Sequence, residues 1–236
     1  MSWRYAFVFT LLALVCALFG IGAVGPTRGV SLAFLYPAVS FGLVAVGYAG
    51  VGPRVFGKGR DGRRRWWARV LLAPYLLLTR FSFLVYRLGT RHPVVSEVSP
   101  GLLLGRRLQP GEAGLAGGGA VLDLAAEFTE LPALRTRPHY LSLPLLDATA
   151  PAAEHLRQAV GWVAERLAAG PVFVHCALGH GRSACVVIAC LLHLGRVASV
   201  RDGLRLVRQH RPGVGLHPPQ RSVLREWEGR IPPPST

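Results

Sequence analysis

Two uninterrupted apolar runs open the chain, Tyr5 to Gly25 (21 residues) and Gly29 to Gly52 (24 residues), and neither carries a charge. A bilayer core asks for about 20 apolar residues per helix. The pattern therefore predicts a transmembrane helical hairpin, two spans joined by a turn at Pro26-Thr27-Arg28. A cleaved signal peptide is the alternative for the first run, with Arg4 as a small basic flank, but the run is long for one and Pro26 follows an unconvincing cleavage site. Pro37 in the second run is compatible with a membrane helix.

From Trp66 to Leu88 the pattern changes. Leu, Phe and Tyr dominate, yet Arg69, Arg80 and Arg87 interrupt them. At about 100° per residue, the steps from Arg69 to Arg80 and to Arg87 return all three to within roughly 20° of one line. This predicts an arginine-edged helix lying in the headgroup layer, with Trp66 and Trp67 at the interface and a kink at Pro74. A third span would bury three guanidinium groups at a cost of several kcal/mol and would invert the side of everything downstream. A plain soluble helix is the third possibility.

Beyond His92, strand-like runs at 102–104, 120–124, 139–143 and 171–175 alternate with helical patterns at 152–168, 183–194, 199–210 and 219–228. That alternation predicts an α/β domain with a central, largely parallel sheet flanked by helices. Gly117-Gly118-Gly119 reads as a turn, and no repeat is evident. The chain thus divides into two spans over 1–52, a basic juxtamembrane segment over 53–91, a catalytic domain over 92–230 and a disordered Pro-rich tail over 231–236.

Charge orients this arrangement. The net charge is +15, and the stretch from Pro53 to Arg91 holds ten Arg or Lys against the single acid Asp61. The positive-inside tendency places that stretch, the N-terminus and the catalytic domain in the cytoplasm, as expected of an integral protein of the plasma (inner) membrane. Beside a bilayer the basic stretch is a contact for anionic headgroups and gives no reason to invoke nucleic acid. The four cysteines, Cys16, Cys176, Cys185 and Cys190, show no disulfide spacing and suit a reducing compartment. Cys185 and Cys190 are assigned to packing in the helix behind the loop that follows.

The chemistry sits at His175-Cys176-Ala177-Leu178-Gly179-His180-Gly181-Arg182-Ser183, between the apolar run Pro171–Val174 and an apolar helical stretch. A strand end that turns into a helix start presents unpaired N–H groups and the positive end of the peptide dipoles, and Gly179 and Gly181 let the backbone curl round an oxyanion. Ala177, Leu178, Gly179, His180, Gly181 and Arg182 are accordingly the phosphate-binding candidates. Arg182 adds a planar cationic fork, and the same field lowers the Cys176 pKa toward a nucleophilic thiolate. Ser183 can donate to the sulfur when it departs, and His175 can set the thiolate through the loop backbone. The bland alternative is a buried cysteine at a strand end with an arginine nearby.

Together these residues resemble the His-Cys-x5-Arg-Ser/Thr signature of the Cys-dependent phosphatases, in particular the dual-specificity branch, and the likeness extends over about residues 96–229. It implies attack of Cys176 on phosphorus, a phosphocysteine intermediate, and Arg182 on the equatorial oxygens. It also implies a general acid, for which Asp147, 29 residues before Cys176 at the end of a Pro-Leu-Leu-Asp run, is the match; a loop or capping Asp is the alternative. Asp123 and Glu127 match a strand and its following turn, Asp123 as a structural residue. Arg211-Pro212, Gln220, Leu224 and Trp227 match the closing helices. Phosphatases of polyanionic lipids tend to carry basic residues where this chain has Ala177 and His180, which weakens an inositide assignment. No cofactor is implied, and none of the eight His stands in a metal-ligand spacing. The expected substrates are phosphorylated protein or phospholipid. The rival readings are a phosphate-binding pseudophosphatase, a hydrolase of RNA polyphosphate ends, and a membrane adaptor.

Overall fold

In the computed structural model, residues 2–22 and 28–230 are described. The turn expected at Pro26-Thr27 and the tail from Ile231 lie outside them. The chain divides into two compact units, one of Met1–Gly59, Arg63–Gly89 and Ala126–Phe128, the other of Arg60–Gly62, Thr90–Ala125 and Thr129–Thr236.

The first unit is helical. Helix α1 spans Trp3–Gly22, and a second helical run, Arg28–Phe56, includes α2 (Arg28–Ser31) and α3 (Leu35–Val46). Both runs are long and apolar enough to cross a bilayer. The second is irregular toward its end, where Gly50 leaves the helical region and Gly52 takes a φ of 76°. Pro37 stands in the first turn of α3, where a missing N–H costs nothing. The two runs meet through aromatic rings, Phe9 against Phe41 and both Tyr5 and Phe9 against Tyr48. They leave Phe7, Leu11, Leu18 and Val39 exposed.

The stretch Trp66–Leu88 is two helices, α4 (Trp66–Leu71) and α5 (Ala73–Gly89), broken at Leu72 with Pro74 inside the first turn of α5. Its apolar partner is the hairpin itself. Tyr75 packs edge-on against Phe9, its N–H donates to the buried Ser40 Oγ at 3.3 Å, and the Tyr36 hydroxyl donates to the Val70 carbonyl. The opposite face exposes Leu77, Phe81, Leu84, Val85 and Leu88; Arg69 and Arg80 are exposed and Arg87 is half-buried. Not every arginine of the basic stretch is free to meet headgroups. Arg64 is buried, donates to the carbonyls of Phe56 (2.7 Å) and Ala126 (2.9 Å), and lies over the Phe56 ring. Burial pulls its pKa down to about 10 against the attraction of Glu127.

The second unit is built on a five-stranded sheet of β1 (Val95–Ser99), β2 (Leu102–Gly105), β3 (Ala120–Ala125), β4 (Tyr140–Leu145) and β5 (Val172–His175), in the order β1-β2-β5-β3-β4. Four strands run parallel, and β1 pairs antiparallel with β2 at the edge. The largely parallel sheet expected from the alternating pattern is present; β1, whose Val-Ser-Glu-Val-Ser run was not read as a strand, makes it mixed. Helices α7 (Ala153–Leu167), α8 (Arg182–His193), α9 (Val200–His210) and α10 (Pro218–Glu228) follow, with a single turn α6 (Pro132–Arg135) before β4.

Both faces of the sheet are covered, so its inner strands are apolar throughout rather than alternating. Leu122, Leu124, Val172 and Val174 pack toward the cluster that holds α7 and α8, while Val121 and Phe173 join Leu108, Leu131 and Leu134 on the other side. Because successive strand residues face opposite ways, Asp123 and His175, paired in register on β3 and β5, share the face of Val121 and Phe173. Helix α8 is buried from Arg182 to Leu192. A helix apolar all round belongs inside, and this one brings its N-terminus to the end of the central strand β5.

Candidate active site

The loop between β5 and α8 is defined by where its carbonyls go. The Cys176 carbonyl faces His175 Nδ1 at 3.2 Å, and that of Ala177 accepts from the Arg107 N–H at 2.9 Å. Those of Leu178 and Gly179 accept from Arg211 Nη2 and Nε, both at 2.9 Å. That of His180 accepts from the Gly215 N–H at 3.3 Å, and that of Gly181 from the Cys185 N–H at 2.8 Å. Six consecutive carbonyls are thus bonded away from the loop's interior. Peptide groups whose oxygens point outward turn their N–H groups inward, which is the wall an oxyanion requires. Gly179 makes the turn possible: its φ is 75°, and a Cβ there would lie 2.5 Å from the Gly105 backbone.

Cys176 lies at the base of this loop, 2% exposed. Its Sγ is 3.3 Å from Ser183 Oγ and accepts from the Gly179 N–H at 3.3 Å. Burial alone would push the thiol up; Arg182 and the Ser183 hydroxyl and N–H outweigh it, against a smaller opposing effect of Asp147, and the thiol falls below its usual range. The same burial acts unopposed on Cys185, which is pushed up to about 12, and Cys190 rises further. Of these three cysteines, Cys176 alone has its pKa lowered.

Arg182 is buried, with Nη1 donating to the Leu145 carbonyl at 2.9 Å and Nη2 3.1 Å from Asp147 Oδ1. Asp147 is 56% exposed, so the carboxyl stands at the rim, open to solvent and beside the guanidinium. Its loop is held from two sides. Ala148 has a φ of 57°, the single non-glycine residue with positive φ among the described residues, and backbone strain of this kind concentrates at functional sites. The Thr149 carbonyl accepts from Gln220 Nε2 at 2.9 Å.

The structure therefore brings together all the predicted loop residues, Ser183, His175 and Asp147. Arg69, Arg80 and Arg87 belong to the helical unit. His180 is not a cation in this loop: burial, then Arg211 and His92, pull it down to about 4, and its ring stands edge-on to His92.

Three residues that were matched or passed over without a site role are part of this architecture. Arg211 is fully buried and also donates to the Pro93 carbonyl at 2.5 Å. Gln220 is buried beneath the acid loop. Glu130 is buried with Oε2 3.1 Å from His175 Nε2, and Asp123 Oδ1 is 4.0 Å from the same nitrogen. The Asp123, Glu130 and His175 ligand atoms lie within 4.8 Å of one another, a grouping invisible in spacing because three separate segments supply it.

The family model of the dual specificity phosphatase catalytic domain matches residues 119–230. Tk-PTP, in a crystal structure of its active form, is 31% identical over 59% of this chain and 99% of its own, with a TM-score of 0.53. The chain belongs to the dual-specificity phosphatase family. It is a phosphoric monoester hydrolase of that type, and the phosphatase fold also matches PTPMT1 in complex with PI(5)P (19% identity, 58% of this chain and 96% of that one, TM-score 0.52). A human DUSP28 structure matches similarly (23% identity, 58% and 95%, TM-score 0.51). At those identities the likeness to the last two is one of fold. No curated protein matches the phosphatase.

Proposed function

We propose that this phosphatase is anchored in a membrane and hydrolyses phosphomonoesters presented at the bilayer surface, through a phosphocysteine formed on Cys176. The Sγ thiolate bonds to phosphorus as the ester oxygen leaves with the proton of Asp147; water, deprotonated by Asp147, then attacks phosphorus and returns the thiolate and inorganic phosphate. Arg182 holds two non-bridging oxygens, and Ser183 Oγ donates to the sulfur as it departs. The observation that carries the reading is the ring of outward-facing carbonyls around a cysteine of lowered pKa, with Arg182 buried beside it and Asp147 at the rim. A pseudophosphatase would need the cradle alone; the acid beside the guanidinium favours turnover.

Asp147→Asn tests the acid. The variant is expected to lose about 10²-fold in kcat on alkyl phosphates, and much less on p-nitrophenyl phosphate, whose leaving group needs little protonation. Equal losses on both would make Asp147 a structural residue.

Anchoring is supported by the two apolar helical runs, and cytoplasmic orientation by the basic stretch that follows them. The substrate is then a lipid phosphate or the phosphorylated segment of a membrane protein. The exposed apolar face of α5 beside Arg80 suits the headgroup layer. Confinement raises effective substrate concentration without any new contact in the pocket. Replacing Arg69, Arg80 and Arg87 by Gln is expected to reduce hydrolysis in anionic liposomes by about tenfold at low salt, less at high salt, and to leave p-nitrophenyl phosphate hydrolysis unchanged. A full-length enzyme indifferent to all three would reduce the helical unit to a tether.

A further inference from the structure

Helices α9 and α10 carry five arginines to one groove that the proposed chemistry leaves unused. Arg201, Arg205 and Arg208 stand at i, i+4 and i+7 on α9, and Arg221 and Arg225 at i and i+4 on α10, so each helix sets its arginines along one face. The five are exposed and line a groove of about 820 Å³. Leu204 and the buried Leu216 give it an apolar part.

The acids in its wall are already engaged at the start of α9. Asp202 accepts from the Ser199 hydroxyl at 2.6 Å and pairs with Arg205 at 2.6 Å, and Glu228 accepts from the Val200 N–H at 2.9 Å. Arg208 Nε donates to the Val214 carbonyl at 3.0 Å. Among the described residues, no carboxylate pairs with Arg201, Arg221 or Arg225. Like charges one turn apart on a helix repel. The fold therefore holds this cluster against a repulsion that an anion in the groove would relieve.

The Val200–Glu228 bond joins the start of α9 to the end of α10, so the two helices run antiparallel and the groove has two distinct ends. Arg208 and Arg221 mark the end nearer the phosphatase site, because the chain between the helices is bonded to it. Arg211 holds the Leu178 and Gly179 carbonyls, the Gly215 N–H donates to the His180 carbonyl at 3.3 Å, and Gln220 donates to the Thr149 carbonyl in the loop of Asp147. From Arg201 to Arg208 the helix rises about 10 Å, the length of about three residues of extended chain.

The lining decides what fits. Planar guanidinium forks take carboxylates two oxygens at a time, and the leucines accept an apolar side chain between them. Nucleic acid calls for aromatic platforms, and no aromatic residue lines the groove. A flat headgroup layer would leave a concave apolar part empty. The chain's own twelve acids form no acidic run, so a second copy does not supply the occupant.

We propose that the α9–α10 groove is a docking site for an acidic polypeptide segment, with carboxylates on Arg201, Arg221 and Arg225 and an apolar side chain on Leu204 and Leu216, and that the phosphatase thereby prefers phosphoproteins carrying such a segment near the phosphorylated residue. The preference rests on the reading of Cys176 as the nucleophile; the docking does not.

The test uses full-length protein in phosphatidylcholine nanodiscs at low salt. A fluorescent peptide Glu-Glu-Leu-Glu-Glu, without phosphate, is expected to bind about tenfold more tightly than Gln-Gln-Leu-Gln-Gln, equally well to Cys176→Ser protein, and hardly at all in about 0.5 M salt. Replacing Arg201, Arg221 and Arg225 together by Gln is expected to weaken binding about tenfold, each exposed pair supplying a small factor, and replacing them by Lys to keep it within about threefold. On phosphopeptides, an acidic flank is expected to raise kcat/KM about tenfold through KM in the wild type and not in the Gln variant. Hydrolysis of p-nitrophenyl phosphate, too small to reach the groove, reports the cradle. Equal binding of the two peptides, binding indifferent to the three arginines, or tighter binding of a single-stranded oligonucleotide would overturn the proposal. So would a Gln variant that loses as much on p-nitrophenyl phosphate as on the acidic phosphopeptide, or one impaired only on a phospholipid in anionic nanodiscs. Docking without a flank effect would overturn the substrate preference. If the Gln variant does not fold, the single reversal Arg225→Glu decides, with the same weakening expected. Peptide binding is read without turnover, so it stands or falls separately from the thiolate mechanism.

Discussion

Cys176→Ser is expected to abolish hydrolysis of every phosphomonoester while inorganic phosphate and tungstate still bind within a few-fold of wild type. Arg182→Ala is expected to lose both. The sulfur is the atom that bonds to phosphorus, and serine at an ordinary hydroxyl pKa offers almost no anion in its place; turnover should fall by about 10⁴-fold or more. The loop that binds the oxygens keeps its six outward bonds whichever atom stands at its base. Arg182 combines charge with a bidentate fork in a buried position, and losing it should cost about 10³-fold in kcat/KM together with most anion affinity. Hydrolysis of p-nitrophenyl phosphate paired with calorimetric titration of phosphate separates the two effects. A Cys176→Ser enzyme that still turns over, or a metal-dependent wild type insensitive to vanadate, would sink the thiolate mechanism.

Arg211→Met is expected to destabilise the phosphatase unit by about 4 kcal/mol and to remove activity with it, although the side chain touches no reacting atom. It is a fully buried guanidinium that bonds the carbonyls of Leu178, Gly179 and Pro93, two of them in the wall of the site. Methionine fills much of the volume but leaves three buried acceptors without donors, each costing about 1–3 kcal/mol, offset by the charge no longer being buried. Denaturant unfolding followed by tryptophan fluorescence, to which Trp162 and Trp227 of this unit contribute, measures the loss. A variant as stable as wild type, with anion binding intact, would mean that the loop holds its shape by itself.

Most of the architecture was legible because periodicity reports burial directly. The strands at 120–124 and 171–175 and the helices α7 to α10 stand within a residue or two of where the pattern puts them. The nucleophile loop was legible for a different reason: the cradle, its cation and the supporting hydroxyl are contiguous, so one stretch of sequence holds them. What stayed hidden was assembled from a distance. Arg211 was matched with Pro212 to the closing helices, but as one of 27 basic residues it carries no local sign that it is buried where the arginines of α9 are exposed. Glu130 meets His175 only because β3 and β5 are neighbours and the chain after β3 folds back over them. Strand β1 was missed at the start of the domain, where its short alternating run has a partner only through an antiparallel edge. Arg64 was pooled with its basic neighbours, although it spends its charge inside the protein. Charge patterning counts arginines and says nothing of which ones are buried.

The outward bonding of carbonyls 176–181 has one more consequence, for the protonation state of the ligand. A wall of inward N–H groups and a guanidinium offers hydrogens and no lone pairs. A phosphate that arrives carrying its own hydrogen would aim that hydrogen at donors around the wall, and Cys176 Sγ at the base is the acceptor within it. The wall is therefore expected to favour the dianion over the monoanion, and to disfavour neutral groups of the same shape, such as a primary sulfonamide. It does so through the direction of its peptide groups together with the one guanidinium.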